Sequence, residues 1–426
     1  MRSGSDVLKQ PLVLLVVLLA FCLPWSKSAV SILLTILCTA LAVRATLQPE
    51  FRRTTRRELL QPLTIPFLIF LGISLIGVLY TERMSDGLAV VNKVLSLSLV
   101  YVAVTLVLET SSADRGTGTH ADAVLFAFLA GVLVLDGIAF LAFLGVIGHK
   151  ANVLPLAPLH VHHIWFSNLN ALGLYAAVSF FLPRDAPLRP RREAFLVVYC
   201  LAATVSITMS LSRTAWLGVL ATAAVLAFLF LRRKKVLVLA VGAVLVSGLL
   251  AYQFSPLVRD RIQVAKTDIS IYASGNRDTE TSLGDRFLMW EAAFRMLRSS
   301  PLGGVGTGDY PSTMESYVRD RSLPERLLKY NQPHNLFLYT LATTGLVGFA
   351  ALLFIFIRVI RHALPTRNDP GVSKQYGFLA LATAIHYLIA GLFDSFFNIF
   401  VLRYAFAVIM AVTVRRDREN PLITKH

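Results

Sequence analysis

Charged residues are scarce in this chain: Asp, Glu, Lys and Arg make up 15% of its 426 residues, where water-soluble domains carry about a quarter. That shortage excludes a string of solvated globular domains, although the length alone would allow two or three. Cysteine is rarer still, with three in all, and Cys22, Cys38 and Cys200 each sit inside an apolar block. They offer no disulfide framework and no thiolate metal site, and they read as small buried hydrophobes. No repeat of about 20–50 residues recurs along the chain, and the two halves show no inverted symmetry. The glycine-rich stretch Gly303-Gly304-Val305-Gly306-Thr307-Gly308 lacks a Gly-Lys-Ser/Thr ending, so it is not a Walker nucleotide loop.

What the chain has in abundance is hydrophobic residues, 55% of the total, gathered in blocks near 20 residues. Such a block crosses about 30 Å of hydrocarbon as a helix. The blocks predict an all-α, polytopic membrane bundle of about twelve spans, near 11–25, 28–47, 62–80, 88–108, 121–147, 164–182, 193–211, 214–231, 236–254, 334–357, 376–393 and 396–414. Residues 1–29 also fit a signal peptide, but a retained first span is the expectation.

The net charge of +16 would suggest nucleic acid in a soluble protein, yet its distribution argues otherwise. With both termini placed in the cytoplasm, 23 Lys and Arg fall on the inner side and four in the short outer loops. The positive-inside rule requires such a bias, and juxtamembrane clusters such as Arg232-Arg233-Lys234-Lys235 meet the headgroups of the lipid bilayer. No nucleic-acid partner is expected. The chain divides into spans one to nine (1–254), a large outer loop (255–333), and spans ten to twelve with a cytoplasmic tail (334–426).

The outer loop is the one soluble-like segment, with eleven Lys/Arg and ten Asp/Glu in 79 residues. Within it Phe287, Trp290, Phe294 and Leu297 recur at helical spacing, predicting an amphipathic helix on the membrane surface or capping the bundle. The glycines after it could cradle phosphate, but turn-forming backbone is the stronger reading.

Four segments then bring unusual polar groups to the same membrane face. Arg213 follows Ser212, an N-cap candidate, at the start of the eighth span. Arg286 opens the amphipathic helix, His334 follows Pro333 at the start of the tenth span, and Asp394 lies between the last two spans. Two guanidiniums can fork onto the oxygens of a pyrophosphate. A neutral imidazole can act as general base toward a hydroxyl, and Asp394 could orient it or cap the last helix. Asn168 and Asn170, at the start of the sixth span, are possible supporting hydrogen-bonding groups. The segment His160-Val161-His162-His163 has imidazoles but no acidic or thiolate partner nearby, so no metal is expected. Lys93, Asp136 and Arg403, inside spans, read as buried polar contacts between helices.

The order Arg213-Thr214-Ala215-Trp216-Leu217, Arg286 with Trp290, Ser300-Pro301-Leu302-Gly303, then Pro333-His334-Asn335 with Gly345 in the following span resembles the O-antigen ligase and polymerase superfamily of bacterial inner membranes. The resemblance is specific over about 205–350. It implies a GT-C-like glycosyltransferase in a Gram-negative inner membrane, acting on the periplasmic side without metal, nucleotide or other cofactor. The donor would be an undecaprenyl-pyrophosphate-linked glycan and the acceptor the lipid A-core oligosaccharide. It makes His334 the base, and Arg213 and Arg286 the pyrophosphate contacts. A single dominant outer loop favours a ligase over a polymerase. A twelve-span secondary transporter would instead place its site near the bilayer midplane.

Overall fold

The computed structural model describes residues 9–49, 51–52, 61–111, 118–148, 151–158, 161–182, 188–230, 253, 256–275, 277, 279–364 and 374–414. Every regular element among them is helical. Nearly all of the expected span 236–254 lies outside the described residues. So do His160 and the clusters Arg56-Arg57, Arg232–Lys235 and Arg415-Arg416.

The helices used below are α1 (Lys9–Cys22), α2 (Lys27–Leu47), α3 (Thr64–Val78), α4 (Met84–Ser111), α5 (Gly118–Phe143), α6 (His163–Ser179), α7 (Pro190–Met209) and α8 (Arg213–Phe230). They continue as α9 (Pro256–Ala273), α10 (Ser282–Ser299), α11 (Tyr310–Arg319), α12 (Leu336–Ala363), α13 (Lys374–Ala390) and α14 (Phe400–Thr413). Five described helices are long and apolar enough to cross a membrane: α2, α4, α5 from His120, α7 and α12. Helices α1, α3, α8 and α14 are apolar but shorter. At 14 residues, α14 is about 21 Å long; a 3₁₀ turn, Phe396–Asn398, takes up the residues before it.

One contiguous apolar core runs through the bundle. It includes Phe67 of α3, Tyr101 of α4, Leu352 and Phe356 of α12, Tyr387 of α13 and Phe406 of α14. A second, smaller core joins α10 and α11 to α12: Leu288, Met289, Ala292 and Met296 pack with Tyr310, Met314, Leu338 and Ala342. Burying side chains of this size is worth roughly 1.5–3 kcal/mol each, so the 282–330 segment is docked on the bundle. The expected apolar face of α10 is not the one docked. Phe294 is exposed and Phe287 and Trp290 are half-buried, while the adjacent face carrying Leu288 and Met289 faces the core. The helix has two apolar faces, and packing selects the one matching α12.

Helix α12 is broken at Gly345, whose φ of 64° and ψ of −163° leave the helical region. A break inside a membrane bundle leaves backbone groups that water cannot satisfy. The glycine-rich loop repairs it. Val305 and Gly306 donate N–H bonds to the carbonyls of Ala342 and Thr343, at 2.9 and 3.2 Å. In return Leu346 and Val347 donate to the carbonyls of Pro301 and Leu302, at 2.9 and 3.3 Å. A Cβ on Gly304 would sit 2.4 Å from the Thr343 carbonyl carbon, and one on Gly345 would sit 2.2 Å from the Leu302 oxygen. Both glycines also hold positive φ, so the approach requires them.

The same loop is clamped to the α3–α4 turn. Asp309 accepts from Thr81 Oγ1 at 2.5 Å and from the Glu82 amide at 2.7 Å. Arg83 pairs with Glu315 of α11, and Tyr80 donates to the Gly303 carbonyl at 2.6 Å.

Candidate active site

The site lies at the loop end of the bundle, where the 282–334 segment meets the α7–α8 turn and the α13–α14 junction. Arg213 begins α8 after a tight turn. Leu211 takes a left-handed φ of 52°, and the Ser212 hydroxyl caps the helix by accepting from the Ala215 amide at 3.4 Å. Arg286 lies in the first turns of α10, behind an N-cap by Thr281 Oγ1 to the Gly284 amide at 3.0 Å. Its Nη1 donates to the Phe393 carbonyl at 2.8 Å, bringing the guanidinium beside Asp394. Burial pushes the Arg286 pKa below its ordinary value; Asp394 opposes this and Arg213 adds to it. The two guanidiniums therefore feel one another across the site, and their mutual repulsion favours an anion shared between them.

His334 does not sit in the first turn of its helix, as Pro333 suggested. The chain remains non-helical through Asn335, whose side chain caps α12 by accepting from the Phe337 and Leu338 amides, each at 3.0 Å. His334 instead takes a left-handed φ of 49°. A side chain there stores of order 1–3 kcal/mol of strain, which the surroundings must hold. Trp290 Nε1 holds the Pro333 carbonyl at 3.0 Å, and the Leu336 amide donates to the Gly391 carbonyl at 2.7 Å. Tyr330 packs edge-on against the imidazole at 5.6 Å, and its hydroxyl donates to Asp285 at 3.3 Å. Arg326 anchors the same carboxylate at 2.9 Å.

His334 Nδ1 lies 3.2 Å from Asp394 Oδ1. The imidazole side chain is 28% exposed and the carboxylate 3%, so the ring can reach a substrate while its partner stays covered. The Ser395 amide donates to the same oxygen at 2.8 Å, and Gln332 Nε2 reaches it at 3.5 Å. Arg213, Arg286, His334 and Asp394 are thus brought together from four separate segments.

Asn168 and Asn170 are held elsewhere. Both are fully buried. Asn168 Oδ1 meets His386 Nε2 at 3.0 Å, and the other nitrogen of His386 meets the Tyr175 hydroxyl at 3.0 Å. Asn170 Nδ2 donates to Asp136 Oδ1 at 2.9 Å, and Ser206 donates to the same oxygen at 2.9 Å. These contacts tie α5, α6, α7 and α13 together within the bundle.

The glycine-rich loop is not an open phosphate cradle: the amides of Gly304, Val305, Gly306 and Thr307 all donate to backbone carbonyls.

One neighbour escaped the sequence reading. His162 caps α6, accepting from the Ile164 amide at 3.3 Å. Desolvation lowers its pKa, Asp394 opposes and His334 adds to the lowering, which places His162 within electrostatic reach of the site. Its signal was the His160–His163 run, read there only as a metal candidate. Among the described residues no group of three or more His, Cys, Asp and Glu is arranged to hold a metal ion.

The chain is thus helical, with several helices long and apolar enough to cross a membrane and a cationic, histidine-bearing cluster at one end of the bundle. Residues 198–353 match the family model described as O-antigen ligase, so that stretch of the chain is similar to that family. The matched stretch contains Arg213, Arg286 and His334 but stops before Asp394. The chain is also 27% identical over 220 residues to an uncharacterized protein of Haemophilus influenzae, covering 50% of this chain and 54% of the relative. It therefore spans about half the length of that curated relative.

Proposed function

We propose that the protein is an O-antigen ligase acting at the periplasmic face of a Gram-negative inner membrane. It would transfer a glycan from undecaprenyl pyrophosphate to a sugar hydroxyl of lipid A-core. The observation that carries this reading is the His334–Asp394 pair standing beside two mutually repelling guanidiniums. With Nδ1 protonated and donating to Asp394, His334 Nε2 presents a lone pair to the acceptor hydroxyl. The base takes that proton as the acceptor oxygen bonds to the anomeric carbon of the donor. The bond from that carbon to the pyrophosphate oxygen breaks, and undecaprenyl pyrophosphate leaves with the electron pair. Arg213 and Arg286 meet the charge that develops on it. These steps use the chain's own residues and need no cofactor.

The test is reconstitution of the purified protein with the lipid-linked glycan and lipid A-core, scored by the appearance of a lipopolysaccharide ladder. Lengthened lipid-linked chains from single repeat units would instead identify a polymerase. Accumulation of a solute in sealed vesicles without glycosyl transfer would identify a transporter.

A further inference from the structure

The face of α10 turned away from the smaller core lines an open groove of about 370 Å³, within the range of ligand clefts. Its rings are Tyr272 of α9 and Phe287, Trp290 and Phe294 of α10. Tyr272 and Phe287 pack with centroids 4.9 Å apart, and Phe287 meets Trp290 edge-on at 5.7 Å. Phe294 stands 49% exposed. The polar members are Glu291, Arg295 and Arg298. Glu291 is gripped by Arg295 at 2.6 Å and by Arg277 at 3.3 Å, and the Arg295 guanidinium lies over the Tyr317 ring at 5.8 Å. Rings and charges are interleaved on one face, and Glu291 and Arg295 are held in place.

The groove is continuous with the site. Arg286, Trp290, Phe294 and Arg298 recur every four residues, one to each successive turn, over about 18 Å of helix. At one end of that line Arg286 feels the charge of Asp394. One turn on, Trp290 Nε1 holds the Pro333 carbonyl at 3.0 Å, next to His334 in the chain. A ligand that reacts at His334 and extends beyond the reacting atoms has this groove beside it.

A pyranose suits both parts of the lining. Its C–H groups form an apolar face that stacks on an aromatic ring, whose π-face is negative. Its hydroxyls donate to a carboxylate and accept from guanidiniums. A hydrocarbon chain would satisfy the rings but would take the network of Glu291, Arg295 and Arg277 out of water, which is costly. A small anion would meet Arg298 and gain nothing from four rings.

We propose that the groove is an oligosaccharide subsite, in which Trp290 and Phe294 stack on sugar rings and Glu291, Arg295 and Arg298 bond their hydroxyls. On the ligase reading, on which this assignment rests, it carries the donor glycan or the acceptor core beyond the sugar that reacts.

The experiment titrates the whole protein, in uncharged detergent, with two lipid-free oligosaccharides. One is the glycan released by mild acid from undecaprenyl pyrophosphate, the other the core oligosaccharide released from lipid A. Phe294→Ala is expected to weaken binding of one of them by about tenfold, from the lost apolar contact. Thermal unfolding should not change, because the ring is exposed, and Phe294→Tyr is expected to retain binding. The probe that responds identifies which substrate the groove holds. Equal affinity of wild type and Phe294→Ala for both probes, or binding of neither, would overturn the proposal. So would displacement of the oligosaccharide by inorganic phosphate, which marks an anion site. A second measurement separates a sugar from the bilayer. Arg298→Cys in lipid nanodiscs is expected to react with a water-soluble maleimide, above a wild-type blank, and to be protected by saturating oligosaccharide. A thiol there that is unreactive without sugar would give this face to the bilayer, and one that reacts equally with and without sugar would leave the groove without its ligand; either result overturns the proposal. Binding that depends on Phe294, in a protein that forms no lipopolysaccharide, would sink the ligase reading and leave the subsite standing. Ladder formation by a protein in which Phe294→Ala alters neither probe's binding would do the reverse.

Discussion

Two polar regions of this bundle solve the cost of polarity in a membrane in opposite ways. Between the helices, Asp136 accepts from Asn170 and Ser206, and His386 lies between Tyr175 and Asn168, all fully or almost fully buried. Their polar neighbours are neutral hydroxyls, amides and a ring, so the contacts link helices. At the loop end, Arg213 and Arg286 repel one another, His334 is strained, and the imidazole is left partly open. The first region is built for cohesion. The second gathers two guanidiniums, a carboxylate and a strained, partly open imidazole, the kind of grouping the proposed chemistry needs.

Breaking the loop-end region should therefore cost activity with little loss of fold. His334→Ala is expected to slow glycan transfer by roughly 10²–10⁴-fold, the range for loss of a general base. The melting temperature should stay near wild type; full activity in a folded variant sinks the base assignment. Arg286→Ala is expected to cost on the order of 10²–10³-fold in rate, and Arg286→Lys should recover only part of that because a single ammonium cannot fork. Undiminished transfer by both Arg213→Ala and Arg286→Ala would remove the pyrophosphate role. Asp394→Asn, which keeps shape but loses charge, is expected to lower turnover by roughly 10–100-fold, with a smaller change in the acceptor's KM.

Sharpening the comparison calls for variants that strike cohesion. Gly345→Ala forces a side chain into positive φ and against the Leu302 carbonyl, so a loss of more than about 1–2 kcal/mol is expected from the backbone alone. Thermal unfolding should show it, with residual transfer per folded molecule preserved. The smallest effect is expected from Asp136→Asn. An amide oxygen there still accepts from Asn170 and Ser206, so stability should move by about 1 kcal/mol or less and transfer should be unchanged. A loss of transfer as large as that of His334→Ala would end the distinction between the two regions.

The four expected residues were legible as polar groups at one membrane face, Arg213 and His334 at span starts, Arg286 opening the loop helix and Asp394 between the last two spans, and the fold brings them to one end of the bundle. Asn168 and Asn170, expected as possible supporting groups at the start of α6, bond His386 and Asp136 between helices. Helical spacing cannot tell which neighbour each side chain will face, and the neighbours are Asp136 and His386. His162 was hidden by a histidine run that suggested a metal. The docked face of α10 was hidden too, because the helix is apolar on two adjacent faces and α12 chose between them.

The sequence by itself determined the helical class, the bilayer environment and the segments that carry the cations and the imidazole. It could do so because hydrophobic block length and the placement of charge are local properties of the chain. Only the tertiary structure decided that Asp394 backs His334, that the glycines mend a broken α12, and that Trp290 holds the Pro333 carbonyl. Each of those contacts joins residues far apart in the chain, and no local rule of spacing or propensity specifies which distant groups will meet.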